Sequence, residues 1–173
     1  MSRRPKHKAE RLWRAHDLAW RDPAQVVGQW DGAAAIDARL LTCRVSGSWW
    51  DILGSAGITL IVTREYEHLV MALGADDDGP RMSFFPLPHP SGIAVDRARS
   101  RIHVASTRNP NQVLVFEPAR TFPASPDVRP RPLDGAPPLL PVRATFFPGS
   151  LYLHDIAIVA KARSAQQTFE TWS

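Results

Sequence analysis

Hydrophobic and polar positions fall into the same order twice along this chain. Residues 58–73 read ITLIVTREYEHLVMAL and residues 102–117 read IHVASTRNPNQVLVFE. Setting Ile58 on Ile102, an offset of 102 − 58 = 44 residues, puts Thr63-Arg64 on Thr107-Arg108 and Leu69-Val70-Met71 on Val113-Leu114-Val115. Each copy is two apolar, β-branched runs split by a short polar turn, the pattern of a β-hairpin. A hairpin recurring every roughly 40–50 residues predicts propeller blades. The same shift places the apolar run Ser91–Asp96 on residues 47–52, so that Trp49, Trp50 and Ile52 would open the preceding blade. Each such unit exposes an apolar face that only a neighbouring unit covers.

Around the two hairpins the pattern changes character. In residues 8–21 (KAERLWRAHDLAWR), Leu12, Trp13, His16, Ala19 and Trp20 recur at three- and four-residue spacing, which predicts a helix with one apolar stripe. Asp22-Pro23 ends it and suits the start of a second short helix, with aspartate as N-cap and proline at the first position. Leu40–Val45 and Trp49–Leu53 read as strands, and Met82–Leu87 as a strand resuming the sheet. The stretch 74–80 (GADDDGP) lacks the ligand alternation and distant glutamate of a calcium loop and reads as a polar hairpin tip. Nine of the sixteen prolines lie within residues 118–148, which predicts an extended, semi-rigid loop interrupting the repeat. Inside it, residues 138–143 (PLLPVR) fit a short proline-rich peptide pattern. Leu151–Val159 resembles a third inner strand, and no strand pair follows it. The organisation expected is a basic helical segment over 1–36 and an incomplete β-propeller over 37–173. The fold class is therefore all-β: about two to three antiparallel blades preceded by a short helical segment.

Composition narrows the function classes. The chain has 173 residues, 44% hydrophobic, and a formal charge of +4. Much of the excess is local, because Arg3, Arg4, Lys6, Lys8, Arg11 and Arg14 face only Glu10 in the first fourteen residues. That segment reads as a solvated terminus; its tryptophans sit at helical spacing and form no stacking platform for nucleic acid. The single cysteine, Cys43, has no internal disulfide partner, lies in an apolar run, and fits a reducing, cytoplasmic compartment. No apolar run approaches the roughly 18–20 residues needed to span a bilayer.

Four stretches resemble one uncharacterised bacterial β-propeller family: residues 63–69 (TREYEHL), 88–96 (PHPSGIAVD), 106–118 (STRNPNQVLVFEP) and 146–159 (FFPGSLYLHDIAIV). The likeness covers about residues 10–159 and includes the tryptophan-containing helix. Members of that family are longer and carry further blades, so the resemblance implies a truncated or frame-shifted member whose open sheet edge could drive self-association. It implies no established activity and no catalytic residues.

Blade topology would gather the loops entering the inner strands and the turns between second and third strands on one face. The candidate ligand-binding residues there are Arg64 and Tyr66 in one turn, Arg108 and Asn109 in the equivalent turn, and His89, His154 and Asp155 before inner strands. Paired arginines suit bidentate capture of a carboxylate or phosphate, and paired histidines suit metal or acid–base chemistry. Backbone hydrogen bonding by the histidines and ordinary turn chemistry explain the same residues without a ligand. Metal-dependent lactonase propellers need several inward acidic and amide ligands, and only Asp96, Asp155 and Asn111 are candidates, so neither a metal nor a cofactor is implied. The function expected is a binding or interaction domain for a small anionic ligand or a protein partner. The alternatives are a propeller enzyme acting on a small anionic or sugar-derived substrate, and a non-functional fragment.

Overall fold

A computed structural model describes residues 4–19, 22–108, 110–119, 138–147 and 151–159. Among them are three α-helices followed by seven strands. Helix α1 spans Arg4–Ala19 and α2 spans Pro23–Ala34. The break between them is made by Asp22, whose carboxylate accepts from the Ala24 N–H at 2.9 Å while Pro23 occupies the first turn, as its fixed φ favours.

The expected strands over Leu40–Val45 and Trp49–Leu53 do not form. Ala38–Leu41 is a short 3₁₀ turn capped by Asp37, and Trp49–Ala56 is helix α3. Five residues of Trp-Trp-Asp-Ile-Leu fit either period. As a helix, Trp49, Trp50 and Leu53 share the packed face while Asp51 and Ile52 face solvent. The tryptophans pack with Ile36 onto Leu69, Met71 and Leu73. Gly57 closes the helix at φ +61°, the left-handed conformation that glycine adopts without steric cost, and donates to Gly54 O at 3.0 Å.

Strands β1 (Leu60–Arg64), β2 (Leu69–Asp76) and β3 (Gly79–Pro86) form an antiparallel sheet in that order. Strands β4 (Pro90–Asp96), β5 (Arg101–Ser106), β6 (Gln112–Pro118) and β7 (Leu139–Phe146) form a second. The aspartate run is the hairpin tip between β2 and β3, where the Asp78 N–H donates to Asp76 Oδ1 and Gly79 takes φ +111°. Both repeated segments are hairpins, but their registers differ. Arg64 pairs with Leu69 across a loop of residues 65–68, whereas Ser106 pairs with Gln112 across residues 107–111.

β7 corrects the reading of residues 118–148 as an interrupting loop. Leu139–Phe146, including Pro141 of the proline-rich peptide pattern, pairs with β6 at the sheet edge, the position where a strand tolerates proline. A register shift between Val115 and Phe116 absorbs the proline. Residues 120–137 lie outside the described residues. Leu151–Val159, expected as a third inner strand, has no regular secondary structure but lies against β4, where Ser91 Oγ donates to His154 O at 3.1 Å.

The two sheets share one core of Val70, Leu87, Val104, Leu114 and Phe116, joined by Trp30 from α2 and Ile61 and Phe85 from the first sheet. Phe85 meets Phe116 edge to face at 5.2 Å. Ala105 and Val113 face the other way and are covered by Leu153 and Ile156. β1 and β4 lie side by side, linked by Thr63 Oγ1 donating to Ser91 O at 2.7 Å. The molecule is mainly β, with two neighbouring antiparallel sheets and a helical segment docked at their loop end.

Candidate functional site

The loops at one end of the sheets converge with α1 and α2 on a cleft of about 320 Å³. His89 is one of the residues that line it. It enters β4 from a segment of buried prolines (Pro88 and Pro90), and its backbone takes φ +44°. Such a value in a non-glycine residue persists only where surroundings over-determine it. The surroundings do so here: the His89 N–H donates to His68 Nδ1 at 3.1 Å, and its carbonyl accepts from the Thr107 N–H at 3.0 Å. The two imidazoles meet edge to face at 4.4 Å. His89 Nε2 lies 2.9 Å from Gln29 Oε1, so Nε2 carries the proton and ties the strand entry to α2.

Arg108 reaches the same cleft from the turn between β5 and β6. Its guanidinium lies 5.7 Å from the Tyr66 ring centroid, a cation–π stack, and Nε is 3.9 Å from Glu65 Oε1. Glu65 in turn accepts from Thr107 Oγ1 at 2.6 Å. The far wall comes from the helices and from residues 151–159, which lie against β4. His16 of α1 shares a hydrogen bond of 3.1 Å with the Tyr152 hydroxyl, and Gln25 joins Gln29 from α2. Tyr152 is fixed by the Trp13 edge at 5.7 Å and takes φ +47°.

Of the residues expected in the site, His89 and Arg108 line the cleft and Tyr66 supports Arg108. Arg64 does not join Arg108: it is committed to Glu67 at 2.9 Å and lies outside the lining, so the paired-arginine clamp is not formed. His154 stacks on Tyr152 at 6.4 Å but is exposed, and Asp155 caps its own neighbour, accepting from the Ile156 N–H at 2.8 Å. Asn109 lies outside the described residues. Asp96 sits at the opposite end of β4, bound to Arg99 at 2.8 Å, which holds its carboxyl below the usual range. Among the described residues, no three histidine, cysteine, aspartate or glutamate side chains converge on a metal position. His16, Gln25, Gln29 and Tyr152 escaped the sequence reading as site residues, whereas Glu65 belongs to the turn expected on this face. The only available signal was the four-residue spacing of Gln25 and Gln29, which puts two amides on one face of α2.

Burial pushes the His89 imidazole down to about 4, the His68 ring and the Arg108 cation add to the effect, and the Glu65 carboxylate opposes it. Burial also lowers His68 and His103. His89 is therefore neutral at pH 7. Its folded value lies below the unfolded value of about 6.5, so between pH 6.5 and 4 the unfolded chain takes up a proton that the folded chain refuses. Stability is complete above about pH 6.5 and falls as pH drops through that window. Allowing for solvent screening at this half-buried ring, the loss attributable to His89 is about 1–2 kcal/mol. Urea midpoints at pH 7.5 and 4.5 should show it, and His89→Asn should flatten the difference; an unchanged slope in that variant refutes the assignment.

No family model, curated protein or solved structure matches the chain. Among the described residues no helix is long and apolar enough to cross a membrane.

Proposed function

We propose that the chain is a binding domain that takes a small anionic ligand in the cleft between the helices and the loops of the two sheets. The observation that carries this reading is the convergence of Arg108 and His89, from different loops, with side chains of α1, α2 and Tyr152 on one polar cleft. Arg108 is the one arginine or lysine among the described residues lining it. Its head is held over Tyr66, so less ordering is needed when an anion docks. The cleft volume is at the small end of the roughly 300–1,000 Å³ typical of ligand sites.

The test is thermal unfolding of the full chain with inorganic phosphate, acetate, citrate and glucuronate. At least one anion should raise the midpoint, and Arg108→Ala should weaken its binding roughly 10–100-fold, the worth of one charge-assisted hydrogen bond. Arg64→Ala, which removes an arginine already paired with Glu67, should leave binding intact. Equal loss in both variants, or no shift with any anion, sinks the reading.

The fold reading that goes with it is two adjacent blades of a β-propeller of the uncharacterised bacterial family. It is supported by the shared core between the sheets, by the contact of β1 with β4, and by residues 151–159 covering the outer face of β5 and β6. A crystal structure in which 151–159 leaves that face bare would remove it.

A further inference from the structure

We infer that the ligand class of this cleft is a hydroxylated monocarboxylate, a sugar acid or hydroxy acid, rather than a phosphate. The inference rests on the anion-binding reading above and narrows it. Charge is the first consideration. Arg108 is the one arginine or lysine among the described residues of the lining, and it already has the Glu65 carboxylate at 3.9 Å. A dianion placed on Arg108 would bring its second charge towards Glu65, with no further lysine or arginine among the described residues of the lining to meet it. His89 does not supply the missing charge, because its ring is neutral at pH 7 and its Nε2–H is directed at Gln29 Oε1. A carboxylate matches a single guanidinium fork in two parallel hydrogen bonds.

The remaining wall sets the rest of the ligand. Gln25 and Gln29 present amides, which both donate and accept, and His16 and Tyr152 a linked imidazole and phenol. Such a set matches hydroxyls, which also do both. At roughly 30 Å³ per water, the cleft of about 320 Å³ holds some ten waters' worth of liquid, the scale of a single small hydroxy acid. Apolar tails find nothing there except Ala19 and ring edges.

The experiment is calorimetric titration of the full chain at pH 7 with four probes: glucuronate, propionate, glucose and inorganic phosphate. Glucuronate should bind tightest, roughly tenfold or more above propionate, the worth of two net hydrogen bonds to neutral groups. Phosphate should be weaker still, and glucose, lacking the carboxylate, should bind no tighter than glucuronate binds to Arg108→Ala. Gln29→Ala should lower glucuronate affinity and leave propionate unchanged. Arg108-dependent phosphate binding as tight as that of glucuronate overturns the ligand class and leaves the anion site standing. Glucuronate binding no tighter than propionate or glucose likewise overturns the class. Absence of any Arg108-dependent binding removes both the class and the site. Arg108→Lys serves as the second variant: it keeps the charge without the fork, and affinity for glucuronate should fall only partly.

Discussion

Replacing Leu87 by alanine should lower stability by about 3 kcal/mol, a large effect for a single truncation. Leu87 is fully buried, and it belongs to the core that joins the two sheets rather than to either sheet alone. Its backbone is pinned as well, donating to His68 O at 2.9 Å, so the main chain cannot follow the missing side chain inward and the cavity stays open. The cost is then the transfer of the lost methyl groups plus the unfilled volume, within the 2–5 kcal/mol range for buried leucines. For a chain of this size that corresponds to a fall in unfolding midpoint of roughly 6–12 °C. Val95→Ala in neighbouring β4 is the control: Val95 is 54% exposed, and its truncation should change stability by less than about 0.5 kcal/mol. Ligand binding should weaken in Leu87→Ala too, because His89 lies two residues on and is held by the same segment. Equal midpoints for the two variants would mean that the sheets do not share this core.

Much of this arrangement can be read in the chain because its strands are dense in β-branched residues. Ile61-Val62 and Val113-Leu114-Val115, set off by Thr-Arg turns, leave little choice but hairpins, and both formed. Their register was not legible, since it depends on whether four or five residues close the loop. Trp49–Leu53 failed for a different reason. Its period is ambiguous over five residues, and the choice falls to tertiary packing of two tryptophans on β2. β7 was hidden by its prolines, which forbid a central strand but not an edge strand with a register shift. In the site, His89 and Arg108 were legible because turn residues next to strands project at sheet ends. Gln29, His16 and Tyr152 were not, because their meeting depends on how α1 and α2 dock, a contact between residues 60 or more positions apart. The expected equivalence of Arg64 and Arg108 broke down locally: Glu67 stands three residues after Arg64 and captures it.

Gly92→Ala should have the second-largest effect, and it bears on function more directly than Leu87→Ala. A Cβ at position 92 would sit 2.8 Å from Asp155 Cα and 3.0 Å from Asp155 C and Ile156 N. These are backbone atoms, which cannot swing aside as a side chain would. Either β4 or residues 151–159 must move, and the second is the weaker partner because it belongs to no sheet. Its displacement would strip Leu153 and Ile156 from Ala105 and Val113 and break the Ser91–His154 bond. Overpacking of this kind costs about 1–3 kcal/mol. It should also pull Tyr152 away from His16, opening the cleft on one side and lowering affinity for any ligand that uses the phenol. Hydrogen exchange should rise across residues 151–159 while β5 and β6 keep their protection. Gly28→Ala tests the specificity of the argument. Gly28 lies inside α2 with open space around it, so alanine there should stabilise by up to about 1 kcal/mol through helix propensity. If Gly92→Ala behaves like Gly28→Ala, residues 151–159 do not lie on β4, and the wall they contribute to the cleft is lost with them.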